Sequence, residues 1–394
     1  MNIVDVRTLF PVTRERAYLF AGGIAPASER MLQASKRYER MLAADPHAVY
    51  DRRKELPHRA RRLFARLLGA DEEEVAITDC TGTGSNLAVE LTEAGAGFAE
   101  GANVVLDDLA YPSSVYPWTI PSRAHVERRF VGRRADGRIH LEDLEAAVDE
   151  STVAVSLSHV SQETGFRHDL REAARLAHSR GAVLMVDAMQ SVGAVRLRVR
   201  EIGVDFLSCG AMKWLLGAPG VGFFFAAREH LDGVPLRVGY RGARGEQEVP
   251  ETGTVQTPWS SVGFRPESGA RRCEVGMWGL PALAASIPGL ELLLDLGMEQ
   301  VESRVLDLAG YCIACALDRG LRVLTPQAAE QRGGIVAIAL ETAAADARAH
   351  LRRRGVDVYA TGGILRVDPH IYNNRDDIDR FYSVLDGYER QAGG

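Results

Sequence analysis

Apolar runs alternate with helical patterns along the first two thirds of the chain, and this alternation constrains the fold more than any other feature. The runs are EVAIT (74–78), NVVLDD (103–108), TVAVSLS (152–158), AVLMVDA (182–188), VDFLSCG (204–210) and GVGFFFA (220–226). Between them lie the apolar helical stretch NLAVELTEAG and the amphipathic DLREAARLAHSRG (169–181), which a glycine stops. Strand, helix, strand at this spacing implies right-handed crossovers and a mostly parallel sheet. Runs that are apolar throughout suit strands covered on both faces. Ligands of such sheets bind at the carboxyl ends of the strands.

With 394 residues the chain has room for a large core and a second, smaller domain. Glycine and proline concentrate over 232–269, which reads as a surface excursion leaving the large domain. Beyond it, IPGLELLLDLGMEQVESRVLDLAGYCIACALDRG reads as long helices, and GIVAIAL, DVYA and GILRV as short strands. The expected fold class is therefore α/β. A large domain over 16–264 carries a mostly parallel, doubly wound sheet, and a smaller α+β domain covers 265–394 together with residues 1–15.

The net charge of −6 argues against a nucleic-acid partner, whose phosphates need a basic surface. No stretch approaches the roughly 20 apolar residues that span a bilayer, so no membrane partner is expected. The first residues, MNIVDVRTLFPVTRER, lack a basic head followed by an apolar run, so no secretory leader is expected. Cys80, Cys209, Cys273, Cys312 and Cys315 are odd in number and scattered, which suits free thiols in a reducing cytoplasm. Cys312 and Cys315 lie in an apolar helical pattern without a second ligand pair, so they read as packing and no metal is expected.

The 47 basic residues include only three lysines, Lys36, Lys54 and Lys213. Lys213 sits in CGAMKWLLGAPG among apolar residues and turn formers, an unusual place for a merely solvated lysine. Asp187 ends the apolar run AVLMVDA, and Gln190 follows three residues later. An amine, a strand-end acid and an amide are what pyridoxal phosphate needs: an amine for its aldehyde, an acid at its pyridine nitrogen and an amide near its ring oxygen. The plainer reading is a helix-capping acid and a surface lysine. A dinucleotide site is a rival, because TGTGSN offers two glycines after a strand, but the third glycine is missing. A non-catalytic sensor on the same fold is another.

VDAMQS (186–191) followed by DFLSCGAMKWLLGAPGVG (205–222) resembles the class V aminotransferase group of fold-type-I pyridoxal-phosphate enzymes. That group includes cysteine desulfurases, isopenicillin N epimerases, kynureninases and carbon–sulfur lyases, and the likeness runs from YLFAGGIAP (18–26) to LRVDPHIYNNRDDID (365–379). It implies Lys213 as the cofactor lysine, Asp187 as partner of the ring nitrogen and Gln190 of the ring oxygen. It implies that CTGTGSN (80–86) cups the phosphate, with Gly82 and Thr83 as the contacts. Tyr111 in AYPSSVYPW, or a residue next to it, would lie over the cofactor ring, and Gln162 would stand near the ring oxygen and substrate. His159 beside it is open between packing and function. Arg366 matches the arginine that holds the substrate carboxylate, and Gly23 of the Gly22–Gly23 pair would border the substrate. The partners implied are a small amino-acid substrate and a second copy of the chain, in a homodimer with shared active sites.

The chain departs from the group in several places. Met212 stands where many relatives have histidine, and Gly210 replaces a common serine. Gly276–Met277 replaces a glycine–threonine pair, and Ala360 aligns with a second carboxylate arginine of the desulfurases. Phosphate binding would then lean on backbone groups or on Arg241 and Arg244 of a neighbouring subunit. No cysteine follows Cys315, and the loop that carries the desulfurase cysteine reads YATGGILRV. Threonine cannot replace a thiolate as nucleophile at neutral pH. The leading expectation is β-elimination from an S-substituted cysteine in secondary metabolism. The chain also looks compatible with the paired lincosamide-pathway enzymes of this type that process S-linked cysteine conjugates. Decarboxylating oxidative deamination, epimerisation and transamination stay open.

Overall fold

The computed structural model describes residues 3, 5–232, 237–244 and 265–392. Most of the expected excursion, 233–236 and 245–264, lies outside the described residues. The described strands are β1 (Ala17–Tyr18), β2 (Val75–Thr78), β3 (Asn103–Asp107), β4 (Glu127–Val131), β5 (Thr152–Ser158), β6 (Val183–Asp187), β7 (Phe206–Gly210), β8 (Gly222–Ala226), β9 (Arg322–Val323), β10 (Val336–Ala339), β11 (Val356–Asp357), β12 (Tyr359–Thr361) and β13 (Ile364–Val367).

All six apolar runs form strands of one seven-stranded sheet, in the order β2-β8-β7-β6-β5-β3-β4. Pairing is parallel from β7 across to β4, and β8 runs antiparallel to both of its neighbours. The sheet is thus mostly parallel, with one reversal that the sequence did not announce. The seventh strand, β4, was not foreseen either. It is an edge strand whose Glu127, Arg128 and Phe130 face water. Unlike β2 at the opposite edge, which is buried over Val75–Ile77, β4 keeps charged residues in water.

Helices cover both faces. Asp169 caps the helix Leu170–Ser179 by accepting from the N–H groups of Arg171 and Glu172, which satisfies donors the helix itself cannot. Phe223, Phe224 and Phe225 are all buried in β8, and Phe64 stacks on Phe223 at 4.3 Å. Burying each such ring contributes roughly 1.5–3 kcal/mol.

The smaller unit is a four-stranded antiparallel sheet, β12-β13-β10-β9, with the helices Met298–Leu317, Ala344–Arg353 and Arg375–Ala392. Its core includes Leu308, Cys312, Ile338, Leu365 and Phe381. The division expected at 264/265 does not follow these cores. Leu283, Ile287, Leu290 and Leu293 of the helix Leu280–Leu296 share the core of the large sheet. That helix is apolar around most of its circumference, so it packs inward rather than starting a new layer. Ala17 and Leu19 belong instead to the small core, because β1 pairs with β11.

Candidate active site

A cavity of ≈ 220 Å³ opens at the carboxyl ends of β2, β5, β6 and β7. Lys213, Asp187, Gln190, Gln162, Tyr111 and Gly82 all line it, although they come from separate segments of the chain.

Asp187 is the last residue of β6 and is buried. Its Oδ1 accepts from the N–H of Met189 at 2.9 Å, and its Oδ2 accepts from the hydroxyls of Ser113 at 3.4 Å and Ser114 at 3.3 Å. Burial pushes this carboxyl above its ordinary range, against the pull of those donors and of Lys213. A cation arriving beside it would restore its anion.

Lys213 lies in the tight connection between β7 and β8. Ala211 N–H donates to Val221 O, Gly217 N–H to Ala211 O and Leu216 N–H to Lys213 O. Leu216 is left-handed at φ 58, a conformation that costs a branched residue roughly 1–3 kcal/mol. Trp214 anchors the loop. Its buried indole donates to Gln190 Oε1 at 2.8 Å, and its carbonyl accepts from His370 Nε2 at 2.9 Å. With Trp214 turned into the core, Lys213 is left to the cavity. Burial, helped by the charge of Arg366, lowers the lysine below its ordinary range. More of it is free base near neutrality than for a lysine in water, and the free base is the form that attacks an aldehyde.

Gln190 is oriented by its partners. Its Oε1 takes the Trp214 indole, and its Nε2 donates to Gly22 O at 3.0 Å. The second hydrogen on Nε2 stays available for an acceptor in the cavity.

The helix Thr81–Ala96 starts at the cavity, and Cys80 at its N-cap offers no side-chain acceptor. First-turn N–H groups and the helix dipole favour a phosphate there. Thr83 is not among the lining residues; its hydroxyl donates to Asp79. Thr81 lines the cavity instead, with its hydroxyl 3.3 Å from Met189 Sδ. Residues two apart on a helix differ by about 200° in direction, so only one of the two threonines can face the ligand.

Met189 also accounts for one departure. A Cβ on Gly210 would come within 3.1 Å of the Met189 sulfur, and Gly210 N–H donates to that sulfur at 3.2 Å. A serine at 210 would require the Met189 side chain to give by a few tenths of an ångström. Arg241 is buried with its guanidinium 4.4 Å from the centre of the Trp278 ring, and Arg244 is exposed. Neither lines this cavity. Among the described lining residues Lys213 is the only cation, beside the acids Asp79 and Asp187.

Gly23 does not line the cavity either; a Cβ there would overlap the Phe20 ring. Gly22 holds the critical position. A Cβ on it would fall 2.6 Å from Asp368 Oδ2 and 3.1 Å from Gln190 Oε1. Gly22→Ala is therefore expected to displace Gln190 and Asp368 together and to weaken cofactor retention about tenfold, on the order of one lost hydrogen bond to a charged group. Dialysis against buffer, followed by absorbance of the retained cofactor, checks it; unchanged retention refutes the role given to this contact.

Arg366 lies on β13, buried behind Gln162, whose carbonyl accepts from its Nη1 at 2.8 Å. Tyr111 stands half-exposed at the rim. His159 is buried outside the lining, and burial pushes it down to about 3, so it is neutral at ordinary pH.

The side chains present fit pyridoxal phosphate. An amine with a lowered proton affinity and a buried acid share one cavity with a Gln190 amide held on one side and a helix N-terminus without a side-chain cap.

Comparisons with known proteins agree. The sequence model of the family described as Aminotransferase class-V matches residues 17–381. The uncharacterized aminotransferase YcbU of Bacillus subtilis is 29% identical over 327 residues, covering 81% of this chain and 80% of that protein. A probable cysteine desulfurase of Halalkalibacterium halodurans is 26% identical over 431 residues, covering 100% of this chain and 99% of that protein. Among solved structures, the cystine C–S lyase C-DES with its reaction product cysteine persulfide shares the fold, with a TM-score of 0.84 at 20% identity over 96% of this chain and 99% of that one. With a match along nearly its whole length, the chain belongs to the class V aminotransferase family, whose cofactor is pyridoxal phosphate.

Proposed function

We propose that the protein cleaves a carbon–sulfur bond by β-elimination from an S-substituted cysteine. One observation carries the reading: the largely buried amine of Lys213, whose ammonium form burial disfavours, shares a cavity with the buried Asp187 carboxyl. When bound, pyridoxal phosphate accepts the electrons left on Cα as a bond breaks. Asp187 would hold the proton on the ring nitrogen, and Gln190 Nε2 would donate to the ring oxygen. The N–H groups of Thr81 and Gly82 would take the phosphate. Arg366 would hold the substrate carboxylate, with Gln162 and Tyr111 at the edge of the substrate. Lys213 Nζ takes the Cα proton as general base. The Cβ–S bond then breaks with its electron pair on sulfur, which leaves as a thiol once protonated. Pyruvate and ammonia are the other products, after hydrolysis.

The absence of a cysteine on the hairpin Tyr359–Val367 supports direct release of the sulfur fragment over transfer to a protein thiol. Cys312 is buried against Tyr382 in the small core. The substrates meant are S-linked cysteine conjugates of secondary metabolism, such as those of antibiotic pathways, a reading with which the missing desulfurase cysteine is compatible. Exposed Tyr116, Val238, Tyr240, Val275 and Met277 supply an apolar surface suited to a homodimer with shared sites. Five free thiols suit a reducing cytoplasm.

The test is incubation of the cofactor-loaded chain with a panel of S-substituted cysteines, with products read by mass spectrometry. Pyruvate and thiol in equal amounts are expected. An aldehyde, a racemised amino acid or a keto acid that keeps its sulfur overturns β-elimination in favour of decarboxylating deamination, epimerisation or transamination.

A further inference from the structure

Arg366 has its guanidinium occupied along one edge. Nε donates to Asp368 Oδ1 at 3.1 Å and Oδ2 at 3.0 Å, and Nη2 lies 2.9 Å from Oδ2. Nη1 donates to Gln162 O. Each terminal nitrogen carries a second hydrogen, so the Nη1–Nη2 end of the planar fork keeps a pair of donors uncommitted. Such a pair matches the two oxygens of one carboxylate. Gln162 lines the cavity and its carbonyl is 2.8 Å from Nη1, so Arg366 lies directly behind the cavity wall.

Asp368 cannot readily swing away. It is wholly buried, and its main chain bridges Phe20: Asp368 N–H donates to Leu19 O, and Ala21 N–H donates to Asp368 O. The face of the guanidinium is held as well, 4.8 Å from the centre of the Tyr359 ring, which stacks on Phe20 at 5.7 Å. The plane of the arginine is thus set by Asp368 and Tyr359 together.

We infer that Asp368 is a positioning residue: it grips Arg366 by the Nε–Nη2 edge and so presents the Nη1–Nη2 end to the α-carboxylate of an amino acid. The inference rests on the amino-acid reading of the site. Its physical basis is that the rotamer entropy of the arginine is lost on folding and not on binding. A buried guanidinium without this counter-charge would also turn toward other acceptors.

The test uses the full chain loaded with pyridoxal phosphate. Two ligands are titrated, S-methylcysteine and 2-(methylthio)ethylamine, which lacks the carboxylate, and binding is read from the cofactor absorbance. Asp368→Asn is expected to weaken S-methylcysteine about tenfold and to leave the amine unchanged, on the order of one charge-assisted contact. In an Arg366→Ala background the same change is expected to add nothing, as for residues acting as one unit. If Asp368→Asn does not fold, as judged by thermal melting, Asp368→Ser is read in the same way. Equal or tighter binding of S-methylcysteine overturns the inference, and so does an equal loss of both ligands. A wild-type chain that binds neither ligand overturns the amino-acid reading, and the inference with it.

Discussion

Lys213→Ala is expected to abolish covalent cofactor attachment and to slow turnover by about 10²–10⁴-fold or more, the usual worth of a general base. The chain has no substitute amine. Lys36 lies in the helix Glu29–Ala44 and Lys54 at the start of the helix Glu55–Leu68, and neither lines the cavity. The fold should survive. A lysine whose ammonium form is disfavoured by burial makes folding less favourable at any pH where the unfolded chain carries that proton. Alanine removes this cost, so the melting temperature should hold or rise. Borohydride treatment followed by mass measurement checks the chemistry: wild type should keep the cofactor mass and the variant should not. A variant that still fixes the cofactor, or turns over at the wild-type rate, ends the assignment of Lys213.

Glu274→Ala is expected to destabilise the protein by about 3–5 kcal/mol, the usual result of breaking a buried ion pair from one side. Glu274 and Arg61 are both buried, with Arg61 Nε 3.1 Å from Oε1 and Nη2 2.6 Å from Oε2. The same carboxylate accepts from Ile77 N–H at 2.8 Å and from the Trp278 indole at 2.7 Å. Alanine would orphan a guanidinium, an indole N–H and a backbone N–H at once. Ile77 belongs to β2, which leads directly into the turn before Thr81, so the phosphate end of the cavity should loosen too. Thermal and denaturant unfolding measure the loss. The double variant Arg61→Met/Glu274→Leu should recover part of it, because it removes both charges together but still leaves the Ile77 N–H and the Trp278 indole without their acceptor. A single variant that melts with wild type would show that the pair adds nothing.

Much of this protein is legible in its order of residues. Strands buried along most of their length are apolar, so six of the seven central strands stand out as runs, and β4 escapes because its Glu127, Arg128 and Phe130 lie in water. Lys213 and Asp187 stand out for a related reason. A charged group embedded in apolar neighbours is costly, and a chain that keeps one there uses it.

What tertiary structure alone decided is direction and company. Thr81 faces the cavity and Thr83 does not, because helical phase depends on where the first turn starts. Gly22 matters more than Gly23 because Asp368 and Gln190, far away along the chain, close on it in space. Met189 packs against Gly210 across neighbouring strands of the large sheet, and Asp368 is fixed beside Arg366 by the bridge between its main chain and Phe20. Local sequence encodes burial and period, since both act over a few residues. It cannot encode which distant side chains meet, since that is settled only when the layers pack.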